Sequence, residues 1–297
     1  MDENLLITSD SNLNLLRDRC SNLNLLDMPT WMNSNKYILS GYRPIKKPLC
    51  YYSKSIFRVH NETINIWTHV LGSLTFVGIL GYLNSDKNLG LYTGQAVIMN
   101  LYVISCCLTY LFSSIMHIFY PISECHCKKL QTLDYVGIGL QIFTTLQVFV
   151  YYCFYCQQEL QLIYMNVMGA FNILCLIALT SSKLTSDEYK NIKVGCFLSQ
   201  CLLFVVPMIH RLSLYENNKY DKIIKSQMVY FGAAFIIFAL CIVFYLGLIP
   251  ERFVKGKSDI IGHSHQIFHI LSVLGSVVMF IGIKQIMDDD SSMDCSS

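Results

Sequence analysis

Ser264-His265-Gln266-Ile267-Phe268-His269 opens the last apolar run of the chain and carries two histidines four residues apart. An α-helix turns once in about 3.6 residues, so residues i and i+4 lie on one face. Two imidazoles placed in this way can bind one metal ion, as in the HxxxH half of zinc-binding helices. The alternative is a pair of buried histidines that hydrogen-bond to their neighbours. Because ionisable residues inside a membrane are costly and usually functional, the apolar residues that follow favour the metal site.

The composition is that of an integral membrane protein. Of the 297 residues, 53% are hydrophobic and only 14% are charged, whereas soluble domains carry roughly 25% charged residues. No basic stripe with interleaved aromatic residues is present, which argues against binding to nucleic acid. The first thirty residues are polar and contain no apolar core, so we expect no secretory signal, and the first span would serve as its own insertion signal.

Seven apolar runs are each long enough to cross a membrane as a helix of about 20 residues. We therefore predict an all-α membrane protein whose seven-helix domain covers residues 64–286. A polar, mostly disordered tail (1–35) and a juxtamembrane segment (36–63) would precede it, and a short acidic tail (287–297) would follow. The predicted spans are Ile64–Leu83, Leu91–Tyr120, Leu133–Tyr155, Leu160–Thr180, Val194–Arg211, Met228–Leu248 and His265–Ile286.

The segments around the spans give weaker signals. The tail repeats the sequence SNLNLL at 11–16 and 21–26, and two copies are too few for a solenoid. In the juxtamembrane segment, apolar residues recur at helical spacing among basic ones, which favours a helix in the membrane interface; an ordinary linker is the alternative. Glycines that would let helices approach closely are Gly72, Gly137, Gly139, Gly232 and Gly275.

The distribution of lysine and arginine predicts a cytosolic N-terminus and an extracellular or luminal C-terminus, because basic loops stay in the cytosol. The N-terminal side carries 13 basic residues in its loops and the opposite side carries 6. The glycosylation sequon Asn61-Glu62-Thr63 would then face the cytosol and stay unmodified. The 13 residues are Arg43, Lys46, Lys47, Lys54, Arg58, Lys128, Lys129, Lys183, Lys190, Lys193, Arg252, Lys255 and Lys257.

This orientation places three histidines and a carboxylate in the cytosolic half of the bundle. His117 lies near the end of the second span, Asp134 near the start of the third, and His265 and His269 at the start of the seventh. Three neutral imidazoles suit zinc and leave a fourth position for water, whose pKa the ion lowers toward about 7. Asp134 could accept a proton from that water or orient it. Ser113 could hold the water or polarise a substrate carbonyl; the alternative is a hydrogen bond to its own helix backbone.

Six stretches of the chain form a pattern that is specific when taken together. They are Gly41-Tyr42-Arg43-Pro44, His60 through His69, Ser113 through His117, Leu133 through Ile138, Pro250-Glu251-Arg252-Phe253 and Ser264 through His269. With these stretches the chain resembles the progestin and adipoQ receptor family, seven-span proteins with a cytosolic N-terminus.

The resemblance implies a function as well as a fold. His117, His265 and His269 would bind zinc, and Asp134 and Ser113 would contact water on the ion. Members related to adiponectin receptors resemble membrane ceramidases, so we expect a zinc-dependent hydrolase of a lipid amide such as ceramide. The alternative is a non-enzymatic receptor or Golgi anchoring protein with a structural zinc site and a protein ligand or signalling partner. The membrane would be the plasma membrane or that of the Golgi.

Other candidates are weaker. Cys125-His126-Cys127 could be a separate metal clamp, although it has no distant partner pair. Cys153 and Cys156 could form a disulfide in an oxidising lumen. Glu62 is interpreted as a carboxylate that the dipole favours at a helix start, rather than as a catalytic acid. Histidines expected at the membrane interface are His60 and His263.

Overall fold

The structure is a computed structural model that describes residues 23–32, 35–85, 94–181, 190–215 and 219–288. Within these ranges the regular secondary structure is helical, and the β pairing is one isolated antiparallel bridge between Leu23 and Tyr42; loops connect the helices. The α-helices are α1 (Leu49–Ser55), α2 (Thr63–Ser85), α3 (Gly94–Phe119), α4 (Glu124–Cys153), α5 (Gln158–Thr180), α6 (Lys190–Leu203), α7 (Val205–Ser213), α8 (Lys219–Gly247) and α9 (Ser264–Asp288).

Seven helices in the described part of the chain are long and apolar enough to cross a membrane, so this is a multi-pass membrane protein, as predicted. The fifth span, Val194–Ser213, consists of α6 and α7. The break between them lies at Phe204. Pro207 explains it, because proline has no N–H to bond to the carbonyl of Leu203, four residues earlier.

Two spans begin earlier than hydropathy predicts. Helix α4 begins at Glu124 rather than near Leu133, and α8 begins at Lys219 rather than near Met228. The added turns carry charged residues, which lower the hydropathy but do not prevent a helix. In α4 the extension starts at a capping serine, Ser123, whose hydroxyl accepts a hydrogen bond from a backbone N–H of the first turn.

The packing of the helices places α3, α4 and α9 in mutual contact. Helices α2, α3, α4 and α5 pack in sequence, and α9 packs against both α2 and α8. A Cβ at Gly137 of α4 would lie 3.0 Å from the Cα of Thr109 in α3, so only glycine permits this approach without a shift. Four of the five predicted glycines face such close contacts. Gly232 does not, because nothing lies within 4 Å of the position of its Cβ.

The residues before α2 pack on one end of the bundle. The described part of the predicted tail forms two single-turn helices, Leu25–Asp27 and Thr30–Met32, and contributes to an apolar cluster with Tyr42 and Met116. The predicted disordered tail therefore does not extend to residue 35. The first copy of the SNLNLL repeat lies outside the described residues. The exposed apolar side chains around α1 are Leu49, Phe57 and Val59.

Candidate metal site

The predicted site residues meet at the end of the bundle on which the N-terminal segment packs. His117 lies two residues before the end of α3, while His265 and His269 lie in the first two turns of α9. His117 is 3% exposed and His269 is 1% exposed. The contact between α3 and α9 therefore brings together residues that are about 150 positions apart in the sequence.

The Nε2 atoms of His117, His265 and His269 face one another. Nε2 of His265 lies 3.2 Å from Nε2 of His117 and 3.2 Å from Nε2 of His269. A tetrahedral ion with metal–nitrogen bonds of about 2.0–2.1 Å separates its ligand nitrogens by about 3.3 Å. The ligand atoms of all three residues lie within 4.8 Å of one another, so this group could hold a metal ion.

Hydrogen bonds on the far sides of two rings determine how these nitrogens are protonated. Nδ1 of His117 lies 2.7 Å from Oε2 of Glu62, and Nδ1 of His269 lies 3.1 Å from the carbonyl oxygen of Asn65. Carboxylate and carbonyl oxygens only accept hydrogen bonds, so we assign the proton of each neutral ring to Nδ1. Both Nε2 atoms then carry a free lone pair, which is the form of histidine that binds metal.

Asp134 and Ser113 lie beside the histidines and are buried, at 8% and 2% exposed. The carboxyl group of Asp134 interacts with the hydroxyl of Ser113 and with His117. Because α4 begins at Glu124, Asp134 lies about three turns inside the helix and not near its start. The alternative for Ser113 is not realised among the described residues: Ser114, and not Ser113, donates to a backbone carbonyl of α3.

Glu62 contacts His117 of the three-histidine group, whereas the sequence predicted only a carboxylate at a helix start. Its carboxylate accepts hydrogen bonds from Nδ1 of His117, from Nδ2 of Asn65 at 2.5 Å and from the hydroxyl of Tyr120 at 3.3 Å. Burial raises the pKa of Glu62, but His117 and the hydrogen bonds from His117 and Asn65 lower it more, so the net pKa lies well below its usual range. The spacing of Glu62, Asn65 and His69 predicts that they share one helix face, but it does not predict the contact of Glu62 with His117.

A fourth histidine lies against the three. The ring of His69 stacks on that of His269, with 3.6 Å between ring centroids and 7° between ring planes. Its Nε2 lies 3.4 Å from the hydroxyl of Ser272, one turn further along α9. His69 is not one of the three residues whose ligand atoms converge.

Buried charged side chains hold the helix ends that carry the histidines. Glu251 is fully buried and accepts hydrogen bonds from the backbone N–H and the hydroxyl of Ser264, the first residue of α9. Arg43 is 3% exposed and donates to the carbonyl oxygens of His117 and Ile118 at the end of α3. A carboxylate at a helix N-terminus and a guanidinium at a C-terminus both complement the helix dipole.

The weaker candidates do not assemble into sites. Cys127 packs in an apolar cluster while Cys125 is exposed, so the two thiols do not form a clamp. Cys153 is a free, buried thiol, so Cys153 and Cys156 are not bonded to each other. His60 and His263, expected at the interface, are instead buried at 1% and 3% exposed.

Both buried histidines are hydrogen-bonded to the backbone around the site. Nε2 of His60 lies 3.1 Å from the carbonyl oxygen of Ser55, and Nε2 of His263 lies 3.1 Å from that of Asn61. Burial lowers the pKa of both rings, that of His60 to about 4.

Comparison with known proteins identifies the family. Residues 57–280 match the family model described as haemolysin-III related. The chain is 32% identical to the adiponectin receptor protein of Drosophila melanogaster over 87% of its own length and 58% of that protein. It is 30% identical to heptahelical transmembrane protein 1 of Arabidopsis thaliana, over 91% of the chain and 82% of the relative. It is 28% identical to progestin and adipoQ receptor family member 3 of Mus musculus, over 83% and 80%.

The chain thus combines a seven-span helical bundle and three converging histidines with sequence similarity to these relatives along most of its length. The chain belongs to the haemolysin-III-related family, and its resemblance to adiponectin receptors and other progestin and adipoQ receptor family members is confirmed. It spans less than two thirds of the length of the Drosophila relative.

Proposed function

We propose that this protein is a zinc-dependent hydrolase of a lipid amide such as ceramide, with its site in the cytosolic half of the membrane. The observation that carries the proposal is the mutual approach of three Nε2 atoms. Nε2 of His265 has at most one hydrogen, so it can donate across only one of its two 3.2 Å contacts. The other contact has no hydrogen bond and leaves two electron-rich nitrogens facing each other, which a cation bound by all three nitrogens would resolve.

Zinc fits the donor set best. His117, His265 and His269 would hold the ion, since neutral imidazole is a preferred zinc ligand. The ion would supply Lewis acidity toward the amide carbonyl and lower the pKa of water at its open position. Three protein ligands with a carboxylate nearby are typical of catalytic zinc sites, whereas structural sites use four protein ligands.

The two remaining buried polar side chains have distinct roles in this proposal. The Asp134 carboxylate takes a proton from the attacking water and returns it to the leaving amine, as a general base and then a general acid. The Ser113 hydroxyl, which interacts with Asp134, orients the water or the substrate carbonyl. Burial of both side chains keeps bulk water away from these groups.

The names of the relatives favour a second candidate, a receptor. In that case an ion on the three histidines would tie α3 to α9 and stabilise the bundle, and the output would be contact with a protein partner.

Asp134→Asn separates the two functions. The amide has nearly the shape of the carboxylate but cannot take the proton, while the three imidazoles are untouched. We expect this variant to keep its zinc and its melting temperature and to lose at least about 100-fold in ceramide hydrolysis. Hydrolysis is measured on purified protein alongside metal content. Full activity in Asp134→Asn would rule out the general-base role, and a wild-type protein that binds zinc but does not hydrolyse lipid amides would favour the receptor.

A further inference from the structure

The carboxylate of Glu62 is held in place by several donors. Oε2 accepts from Nδ1 of His117 at 2.7 Å and from Nδ2 of Asn65 at 2.5 Å, and Oε1 lies 3.3 Å from the hydroxyl of Tyr120. These donors come from α2 and from α3 and the turn that follows it. Because both oxygens are occupied, the position of the carboxylate relative to the His117 ring is defined.

The three histidines differ in what lies behind them. Nδ1 of His117 contacts a carboxylate, whereas Nδ1 of His269 contacts the backbone carbonyl of Asn65. The hydrogen bonds of the described residues include none to Nδ1 of His265. A carbonyl oxygen fixes the tautomer and the orientation of a ring, while a carboxylate also raises the basicity of the opposite nitrogen. Glu62 is therefore hydrogen-bonded to one ring of the three, that of His117.

We propose that Glu62 is a positioning residue of the metal site, which holds the His117 ring with Nε2 toward the ion and strengthens that nitrogen as a ligand. This inference rests on the proposed function, because it requires an ion in the site. It extends the site to the residue before α2, a helix that supplies none of the three converging imidazoles. Metal affinity should then depend on Glu62 although Glu62 does not touch the ion.

The test is a titration of metal-free, full-length protein with cobalt(II), whose visible absorption reports ligand number and geometry. Glu62→Ala should weaken cobalt binding by about 10–100-fold and change the spectrum, since the His117 ring loses its orientation. Glu62→Gln should have an intermediate affinity and a spectrum close to that of wild type. The reason is that the amide oxygen still accepts the Nδ1–H bond but carries no charge. The difference in cobalt affinity between the two variants separates the effect of orienting the His117 ring from the effect of the carboxylate charge.

Asp259→Asn is a matched control. Asp259 is a carboxylate that is buried, at 5% exposed, and it accepts hydrogen bonds from the backbone N–H of Leu39 and the hydroxyl of Ser40. Like Glu62, it contacts the segment before α2, but it makes no hydrogen bond to the three histidines. We expect Asp259→Asn to lower the melting temperature of the metal-free protein and to keep the cobalt affinity and spectrum of wild type.

The outcomes separate this inference from the proposed function. If wild type and Glu62→Ala bind cobalt with the same affinity and spectrum, the role of Glu62 is overturned while the metal site stands. Equal losses of affinity in Glu62→Gln and Asp259→Asn would also overturn it, because they would reflect general loosening of the fold. A wild-type protein that takes up no ion would overturn the metal site and the role of Glu62 together.

Discussion

At the scale of single residues, charged side chains around the site are hydrogen-bonded to the residues that form it. Glu251, Glu62 and Arg43 each make hydrogen bonds to the helix ends or rings of the three-histidine group. Buried charges are tolerated only when they are paired or hydrogen-bonded. Inside a membrane protein, a charge without such a partner costs more free energy. The segment before α2 is therefore part of the site's framework and not only a linker.

The protonation of His60 should make stability depend on pH. Its pKa is about 4 in the fold, where burial and then Arg43 lower it against the opposing effect of Glu62, and 6.5 in the unfolded chain. The neutral ring is thus favoured by folding, so its stabilisation is complete above about pH 6.5 and is lost as the pH falls toward 4. Between pH 7 and pH 5 we expect a loss of about 2 kcal/mol.

His60→Gln tests this expectation in metal-free protein. Glutamine can donate and accept as the neutral ring does but does not titrate, so the drop in melting temperature between pH 7 and pH 5 should become smaller. The control is His126→Gln, which replaces an exposed histidine and should keep the wild-type drop. If the melting temperatures of His60→Gln and wild type fall by the same amount between pH 7 and pH 5, His60 is not the source of the pH dependence.

Four of the site residues that the sequence predicts have a periodic signal, and the fifth, Asp134, was placed from the orientation of the spans. His265 and His269 at i and i+4, and Ser113 and His117 at the same spacing, were recognisable from helix geometry alone. Glu62 was not recognised, because its role depends on the long-range contact between the start of α2 and the end of α3. Spacing within one helix carries no information about which ring of another helix a carboxylate will meet.

At the scale of elements, hydropathy predicted the seven spans but not their ends. It recognises apolar turns, whereas the ends depend on capping and charge pairs. In α4, Ser123 caps the helix and Glu124 pairs with Lys128 across one turn at 2.7 Å, so the helix starts well before the apolar residues. This extension is why Asp134 lies in the middle of a helix, where the backbone holds it rigidly.

The contact between α3 and α4 should be sensitive to one methyl group. Gly137 lies three residues after Asp134, and its approach to Thr109 leaves a Cβ only 3.0 Å from backbone. Gly137→Ala should push the helices apart, cost about 1–3 kcal/mol of stability and reduce hydrolysis, since Ser113 and Asp134 lie on these two helices. Thermal melting of the solubilised protein and the hydrolysis assay measure the two effects.

Gly232→Ala provides the control for that substitution. Nothing lies within 4 Å of its Cβ position in α8, and alanine is favoured over glycine in a helix by about 1 kcal/mol. We expect its melting temperature and activity to equal or exceed those of wild type. Equal behaviour of Gly137→Ala and Gly232→Ala would contradict the close packing of α3 on α4.

At the scale of the whole molecule, the charge distribution predicts the orientation that places the histidines in the cytosolic half. In sealed microsomes, protease should remove an N-terminal tag and spare a C-terminal tag, whichever membrane holds the protein. Asn61 should carry no glycan, and its burial at 4% exposed gives the folded state a second reason for that. Protection of the N-terminal tag would reverse the orientation and move the site to the other leaflet.

Elemental analysis of purified protein tests whether the three converging imidazoles hold one zinc ion. We expect about one zinc per chain in wild type and in the control His126→Ala, and loss of the ion in His265→Ala and His269→Ala. The melting temperature of both variants should fall as well, because binding to the folded state adds to its stability. Zinc content that is the same in wild type, His265→Ala and His269→Ala would rule out a zinc site at these histidines.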